Sequence, residues 1–266
     1  MSGKIVRGIL ALLLACIVFA GRGYAFDEGF TVVIDPGHGG KDSGAISASG
    51  LFEKHIVLDI ARRMQAILRE WNVNVIMTRT SDDFLSLSTR AHFINSQKPD
   101  VCVSIHANSS NIASVHGFES YIYDKRKRGT ILHRIPEVNP SIFVFPMKYS
   151  TSGKHSKSFQ AAYYMHTALA AATGSSDRGI RAAHFHLLRA VEVPCVLMEI
   201  GFMSNRFEAK RLEDSNYRQV MAQALAEGIM RAMNGVEADT LISRSKGSEP
   251  VGSSLLLPAA AIKGAR

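Results

Sequence analysis

Two histidines and a carboxylate stand where three apolar runs of this chain end. Val32-Val33-Ile34-Asp35 stops at Pro36-Gly37, and His38 follows before Gly39-Gly40. Val101-Cys102-Val103-Ser104-Ile105 leads into His106, Ala107 and Asn108. Cys195-Val196-Leu197-Met198 ends in Glu199. Runs this rich in β-branched residues read as buried strands, and the Pro-Gly pair reads as the turn that closes the first. In open α/β sheets, sites are built at the carboxyl ends of strands. Imidazoles and a carboxylate gathered there point to a metal hydrolase. Zinc in such enzymes takes three protein ligands from His, Asp or Glu and keeps a fourth position for water.

His38 and His106 are the imidazole candidates, and Glu53 is the candidate for the third ligand. Glu53 opens the helix after the His38 loop, and the glycine-rich link from Gly39 to Gly50 lets the chain double back. Each has a plainer reading: Glu53 as an acid favoured at a helix amino terminus, and each histidine as an ordinary loop residue. Three such coincidences together favour the metal over any single motif. Glu199 needs its own account, because an unpaired carboxylate is costly to bury. One reading is an ion pair with Arg178, Arg181 or Arg189. The other is a general base that takes a proton from the attacking water and returns it to the leaving amine, which requires a pKa raised toward neutrality.

The elements that must position these residues alternate between strand and helix patterns, as in a layered α/β domain. Strands are predicted over Phe30–Asp35, Asn74–Thr78, Val101–Ile105, Gly117–Tyr123 and Val196–Ile200, with strand and turn from Ile180 through Leu188. Helices are predicted over Glu53–Trp71, where Ile56, Ile60, Met64, Ile67 and Leu68 recur at helical spacing, and from Leu87 through Ile94, halted by Pro99. Two more span Phe159–Thr173, ending at Gly174, and Tyr217–Met233. Residues 125–158, with Pro136, Pro140 and Pro146, read as a surface insertion. Residues 236–266, rich in Ser, Ala and Gly, read as a disordered tail.

The 266 residues are 46% hydrophobic, enough for one sizeable core. A net charge of +8 favours polyanions such as nucleic acid, anionic lipid or an acidic wall polymer. No nucleic-acid signature accompanies it: Lys125-Arg126-Lys127-Arg128 is short and lacks interleaved aromatics. Lys4 and Arg7, the apolar run from Ile9 to Ala20, and Gly23-Tyr24-Ala25 form a secretory signal peptide over 1–25. The competing reading takes Leu13-Leu14-Ala15-Cys16 as a lipid-attachment box. Export leaves Cys102 and Cys195, either two buried thiols or a disulfide.

These residues resemble the zinc-dependent N-acetylmuramoyl-L-alanine amidases of bacterial cell-wall turnover and division. The matching segments are Ile34-Asp35-Pro36-Gly37-His38-Gly39-Gly40, Glu53 in Leu51-Phe52-Glu53-Lys54, Thr78-Arg79-Thr80 before Leu87-Ser88-Thr89-Arg90-Ala91, Ser104-Ile105-His106-Ala107-Asn108, Gly117-Phe118-Glu119-Ser120-Tyr121, and Glu199-Ile200-Gly201-Phe202-Met203-Ser204-Asn205. The resemblance spans about residues 30 to 233. The resemblance implies zinc on His38, Glu53 and His106, a catalytic Glu199, and a catalytic domain over 26–235. It also implies one three-layer α/β domain with a mixed central sheet flanked by helices, and a peptidoglycan substrate; the signal over 1–25 implies a periplasmic location. Arg90 and Glu119 are expected to support the site or to form structural pairs. His184 and His186 are expected to touch substrate; His55, His116 and His155 are not.

Division-type members carry an inserted helix that plugs the metal site until an activator displaces it. The corresponding residues 125–158 hold three prolines and one acid, Glu137, which disfavours a plugging helix. The expectation is an enzyme without that self-inhibition; membrane association and an activator protein are compatible with the sequence, and neither is required by it. Two other classes compete with this one. Ser243-Arg244-Ser245-Lys246 and Ser109-Ser110-Asn111 fit the short patterns of penicillin-sensitive D,D-carboxypeptidases, but a nucleophile in a disordered tail lacks a rigid setting. A non-catalytic wall-binding module is disfavoured by the complete set of His38, Glu53, His106 and Glu199.

Overall fold

A computed structural model describes residues 30–126, 128–134 and 153–234. The expected signal peptide with Cys16, the prolines and Glu137 of the expected insertion, and the expected tail with Ser243 and Lys246 lie outside the described residues. The chain runs β1 (Thr31–Pro36), α1 (Glu53–Glu70), β2 (Asn74–Met77), α2 (Leu87–Gln97), β3 (Val101–Asn108), β4 (Phe118–Tyr123), β5 (Ile131–His133), α3 (Lys154–Thr173), β6 (Asp177–Ala183), α4 (His186–Ala190), β7 (Cys195–Phe202), α5 (Arg206–Glu213) and α6 (Ser215–Asn234). The strands form one sheet in the order β2-β1-β3-β7-β4-β6-β5. β2, β1, β3 and β7 are parallel, β4 is antiparallel to β7, β6 is parallel to β4, and β5 is antiparallel to β6. This is the mixed sheet that the resemblance implied. Among the described residues no helix is long and apolar enough to cross a membrane.

Alternation along the strands sorts the core into two layers. Val32, Ile34, Val103, Ile105, Val196 and Met198 join the larger cluster, which α1, α3 and α6 cover. Val33, Cys102, Cys195 and Leu197 join the smaller one, which α2 and α4 cover. In α1, Ile56, Ile60, Met64 and Leu68 are buried, so the predicted stripe is the packed one. Burial of each such side chain contributes about 1.5–3 kcal/mol. Cys102 and Cys195 are register partners on β3 and β7 and both are free thiols.

The boundaries depart from expectation where polar contacts replace apolar periodicity. α3 begins at Lys154, not Phe159. Its first turn carries no apolar period, but Ser158 is buried and accepts a bond from the Cys195 N–H at 3.0 Å. Lys154 Nζ donates to the Leu188 and Val191 carbonyls. Part of the expected insertion therefore belongs to the domain, as β5 and the start of α3. Strand β6 starts at Asp177, three residues before the predicted Ile180, and the following turn is the short helix α4. α2 continues past Ile94 to Gln97 and stops at Lys98, left-handed, directly before Pro99.

Candidate metal centre and its carboxylate

The first ligand loop is held by two buried arginines. Arg90 donates to Asp35 Oδ1 at 2.6 Å, to the Pro36 carbonyl at 2.8 Å and to the His38 carbonyl. Arg79 donates to the carbonyls of Pro36 at 3.0 Å and Gly37 at 2.6 Å. Three consecutive carbonyls thus turn toward guanidinium groups, and His38 takes φ +57°, a conformation that non-glycine residues rarely hold without such support. Asp35 is the counter-charge. Burial alone would raise its pKa, but the charge of Arg90 and bonds from Thr78, Arg90 and Ser104 outweigh it and hold the carboxyl below its usual range. Arg90 and Asp35 are therefore a buried structural pair that shapes the His38 loop. Arg90→Met should leave Asp35 buried and unpaired, at a cost of about 3–5 kcal/mol, read as a fall of roughly 10 °C in Tm.

The three expected ligands converge. His38 Nε2 lies 3.0 Å from Glu53 Oε1, His106 Nδ1 lies 3.0 Å from the same oxygen, and the two ring nitrogens are 3.1 Å apart. Tetrahedral bonds of about 2.0–2.1 Å to zinc would set neighbouring donors about 3.3 Å apart, so this triangle is close to one face of such a site. It is the one group among the described residues whose His, Cys, Asp and Glu donors could hold a metal. The donor chemistry fits zinc: two imidazoles, one carboxylate and an open side.

Each ligand is oriented by its surroundings. Glu53, in the first turn of α1 and 4% exposed, accepts the Ala107 N–H on Oε1 at 2.9 Å and the Ala45 N–H on Oε2 at 2.8 Å. Burial would push its pKa up, but His106 and His38 outweigh that and keep the carboxyl well below the usual range. Asp42 Oδ2 stands 2.9 Å from His38 Nδ1, though out of hydrogen-bonding alignment. Burial would lower the His38 pKa, but Glu53 and then the Asp42 carboxylate outweigh it and raise it. Gly44 has φ +65°, and a Cβ there would lie 2.6 Å from Glu53 Oε2. A Cβ on Gly37 would collide with the His106 ring. Gly37→Ala is accordingly expected to displace that ring and weaken zinc binding about 10–100-fold, the range typical of lost outer support, measurable by chelator competition.

Glu199 is the register partner of His106 across β3 and β7. Its Oε2 is buried and makes no hydrogen bond among the described residues. The ion-pair reading fails there: Arg178 and Arg181 pair with Glu119 instead, at 3.2 and 3.1 Å, and among the described residues Arg189 makes no ion pair with Glu199 either. Burial first, then the charges of Glu53 and Glu119, push the Glu199 pKa well above the usual carboxylate value. An acid whose orphaned oxygen is buried beside a metal-ready triad is equipped to carry a proton. Glu119 lies directly opposite it on β4 and also accepts from Asn108 Nδ2 at 2.7 Å.

His184 and His186 are not near this site. β6 runs antiparallel to β7, so residues beyond Ala183 emerge at the other end of the sheet from His106, where His184 Nε2 meets the Asp124 carbonyl at 2.8 Å. The expectation that they touch substrate is corrected by that topology. His55 faces Asp82, and His116 and His155 meet backbone carbonyls near the surface.

A profile of the N-acetylmuramoyl-L-alanine amidase family matches residues 32–231. The chain is 33% identical over 200 residues to the N-acetylmuramoyl-L-alanine amidase LytC of Bacillus subtilis, covering 75% of this chain and 35% of LytC. It is 35% identical over 205 residues to the amidase CwlM of Bacillus licheniformis, covering 76% of this chain and 68% of CwlM. The first of these relatives is thus matched over about a third of its length. Among solved structures, the catalytic domain of CwlV from Bacillus (Paenibacillus) polymyxa var. colistinus superposes with a TM-score of 0.64 at 34% identity, covering 77% of this chain and 99% of that one.

Proposed function

The chain belongs to the N-acetylmuramoyl-L-alanine amidase family, and from that membership we propose that it hydrolyses the amide between N-acetylmuramic acid and L-alanine in peptidoglycan, with zinc on His38, Glu53 and His106. The observation that carries the mechanism is the pairing of the convergent donor triangle with the buried, unpartnered Glu199 Oε2. Zinc bound there would polarise the scissile carbonyl and make water a competent nucleophile at neutral pH.

The protein's own groups do the rest. Glu199, opposite His106, accepts a proton from the attacking water on Oε2 and delivers it to the leaving nitrogen of L-alanine. Its raised pKa keeps the protonated form accessible for the second transfer. Glu53 stays fixed by the N–H groups of Ala45 and Ala107, and the His106 and His38 rings by close packing against Gly37 and Gly44, so little reorganisation accompanies the reaction. The basic composition suits an acidic wall polymer. We further propose export to the periplasm, from the pattern of residues 1–25.

The test uses the mature zinc-loaded protein, from Phe26 onward, with intact peptidoglycan and no added partner. Mass spectrometry of the products is expected to find free peptides beginning with L-alanine alongside unpeptidated glycan. Release of terminal D-alanine alone would overturn the reading. An inert protein that an added activator switches on would overturn the expectation that it lacks self-inhibition.

A further inference from the structure

Across the sheet from the metal centre, one row of residues runs His106 on β3, Glu199 on β7 and Glu119 on β4, each the register partner of the next. β6 closes the row with Arg178 and Arg181. Both place Nε within 3.2 Å of Glu119 Oε2, and the other oxygen of Glu119 is taken by Asn108. One buried carboxylate thus holds two guanidinium groups and leaves one positive charge over. The remaining donors are not consumed. Among the described residues, neither terminal nitrogen of Arg181 makes a hydrogen bond, nor does Nη2 of Arg178. The side chains are 19% and 31% exposed, so those donors reach solvent from a fixed base. Arg178 is further held over the Phe202 ring, 4.9 Å from its centre.

We propose that Arg178 and Arg181 form a carboxylate-reading subsite for the peptide side of the substrate, binding the free carboxylate of the residue that follows L-alanine. This rests on the amidase reading and extends it. Adjacent strands are about 4.8 Å apart, so β6 lies about 10 Å from Glu199 across the row. A carboxylate two residues along an extended peptide is about 7 Å from the scissile carbonyl, and the arginine side chains span the difference. Guanidinium groups present paired N–H donors that match a carboxylate and discriminate against an uncharged amide. Anchoring by Glu119 means that less side-chain freedom is lost when the ligand arrives.

The test needs two ligands that differ only in that charge: N-acetylmuramoyl-L-alanyl-D-isoglutamate and its D-isoglutamine amide. Calorimetry on full-length mature Glu199→Gln protein, loaded with zinc, is expected to give a Kd at least tenfold lower for the acid. With the unaltered enzyme the same preference should appear in KM more than in kcat, and should shrink as salt is raised. Arg181→Gln should bring the ratio close to one. Equal affinity for acid and amide, no binding of the acid at millimolar concentration, or an undiminished preference in folded Arg181→Gln would each overturn the subsite. Should Arg181→Gln fail to fold because Glu119 loses a partner, the acid-to-amide comparison on the unaltered chain still decides. Cleavage of intact peptidoglycan by the same preparation separates the two levels: its absence overturns the amidase reading, whereas its presence with equal affinities overturns only the subsite.

Discussion

Glu199→Gln is expected to reduce amide hydrolysis about 10³-fold while zinc still binds. The magnitude is that of a positioned general acid–base group, commonly 10²–10⁴. Gln keeps the shape of the side chain but can neither accept the proton from water nor return it to the leaving amine. His38, Glu53 and His106 do not depend on Glu199 for a hydrogen bond, so their donor triangle should survive. Metal content and kcat on peptidoglycan, measured on one preparation, check both halves. Loss of metal with loss of activity would mean that Glu199 supports the ligands instead of moving protons.

The same substitution has a stability signature with a definite sign. The folded-state pKa of Glu199 is raised above its ordinary 4.5 by burial and by Glu53 and Glu119. Between 4.5 and the raised value, the folded protein binds more protons at this site than the unfolded chain. Stability contributed by the neutral carboxyl is therefore complete below 4.5 and declines as pH rises through that window. In metal-free protein, Glu199→Gln should remove this decline, so its Tm should gain on the unaltered protein as pH rises above 4.5. An unchanged difference between the two across pH 4–8 would contradict the placement of an unpartnered, desolvated acid.

Much of this site is written locally in the chain. The runs before His38, His106 and Glu199 start within a residue or two of the strands that carry them, because parallel strands buried on both faces leave few polar positions to blur the pattern, while β3 and β7 run on through His106 to Asn108 and through Glu199 to Phe202. Glu53 was reachable from its place at the start of an amphipathic helix behind a glycine-rich link. What the sequence left open, such as which of the two roles Arg90 and Glu119 take, is set by contacts between distant segments. Arg79 and Arg90 act on the carbonyls of residues 36–38, more than 40 positions away, and a buried arginine leaves no periodic trace. The pairing of Glu119 with Glu199 depends on β4 lying beside β7, an order that no run of residues encodes. The three-residue strand β5 is too short for alternation to register. α5 could have been found: Asn205, with Glu208 three residues on, is a capping signal, and the Asn205 side chain accepts from the N–H groups of Phe207 and Glu208.

Removing a ligand should separate metal binding from folding. His106→Ala and Glu53→Gln are each expected to weaken zinc affinity a few hundredfold. Structural zinc sites with four protein donors bind with about 10–16 kcal/mol, or about 2.5–4 kcal/mol per donor, and each 1.4 kcal/mol is tenfold. The two variants should differ in what else they disturb. His106→Ala leaves a gap beside Gly37, whose missing Cβ makes room for the ring. Glu53→Gln keeps the volume but removes the charge. Its amide also has one oxygen where two backbone N–H groups, of Ala45 and Ala107, each need an acceptor. Its NH₂ must then face one of those N–H groups in either orientation, so the milder-looking change should give the larger fall in Tm. The two core clusters lie on the faces of the sheet and pack without any of the three ligands, so both variants should remain folded. Chelator competition for zinc affinity and thermal melts of the metal-free proteins check the two claims separately. A metal-free protein that unfolds outright would show instead that the ion holds the domain together.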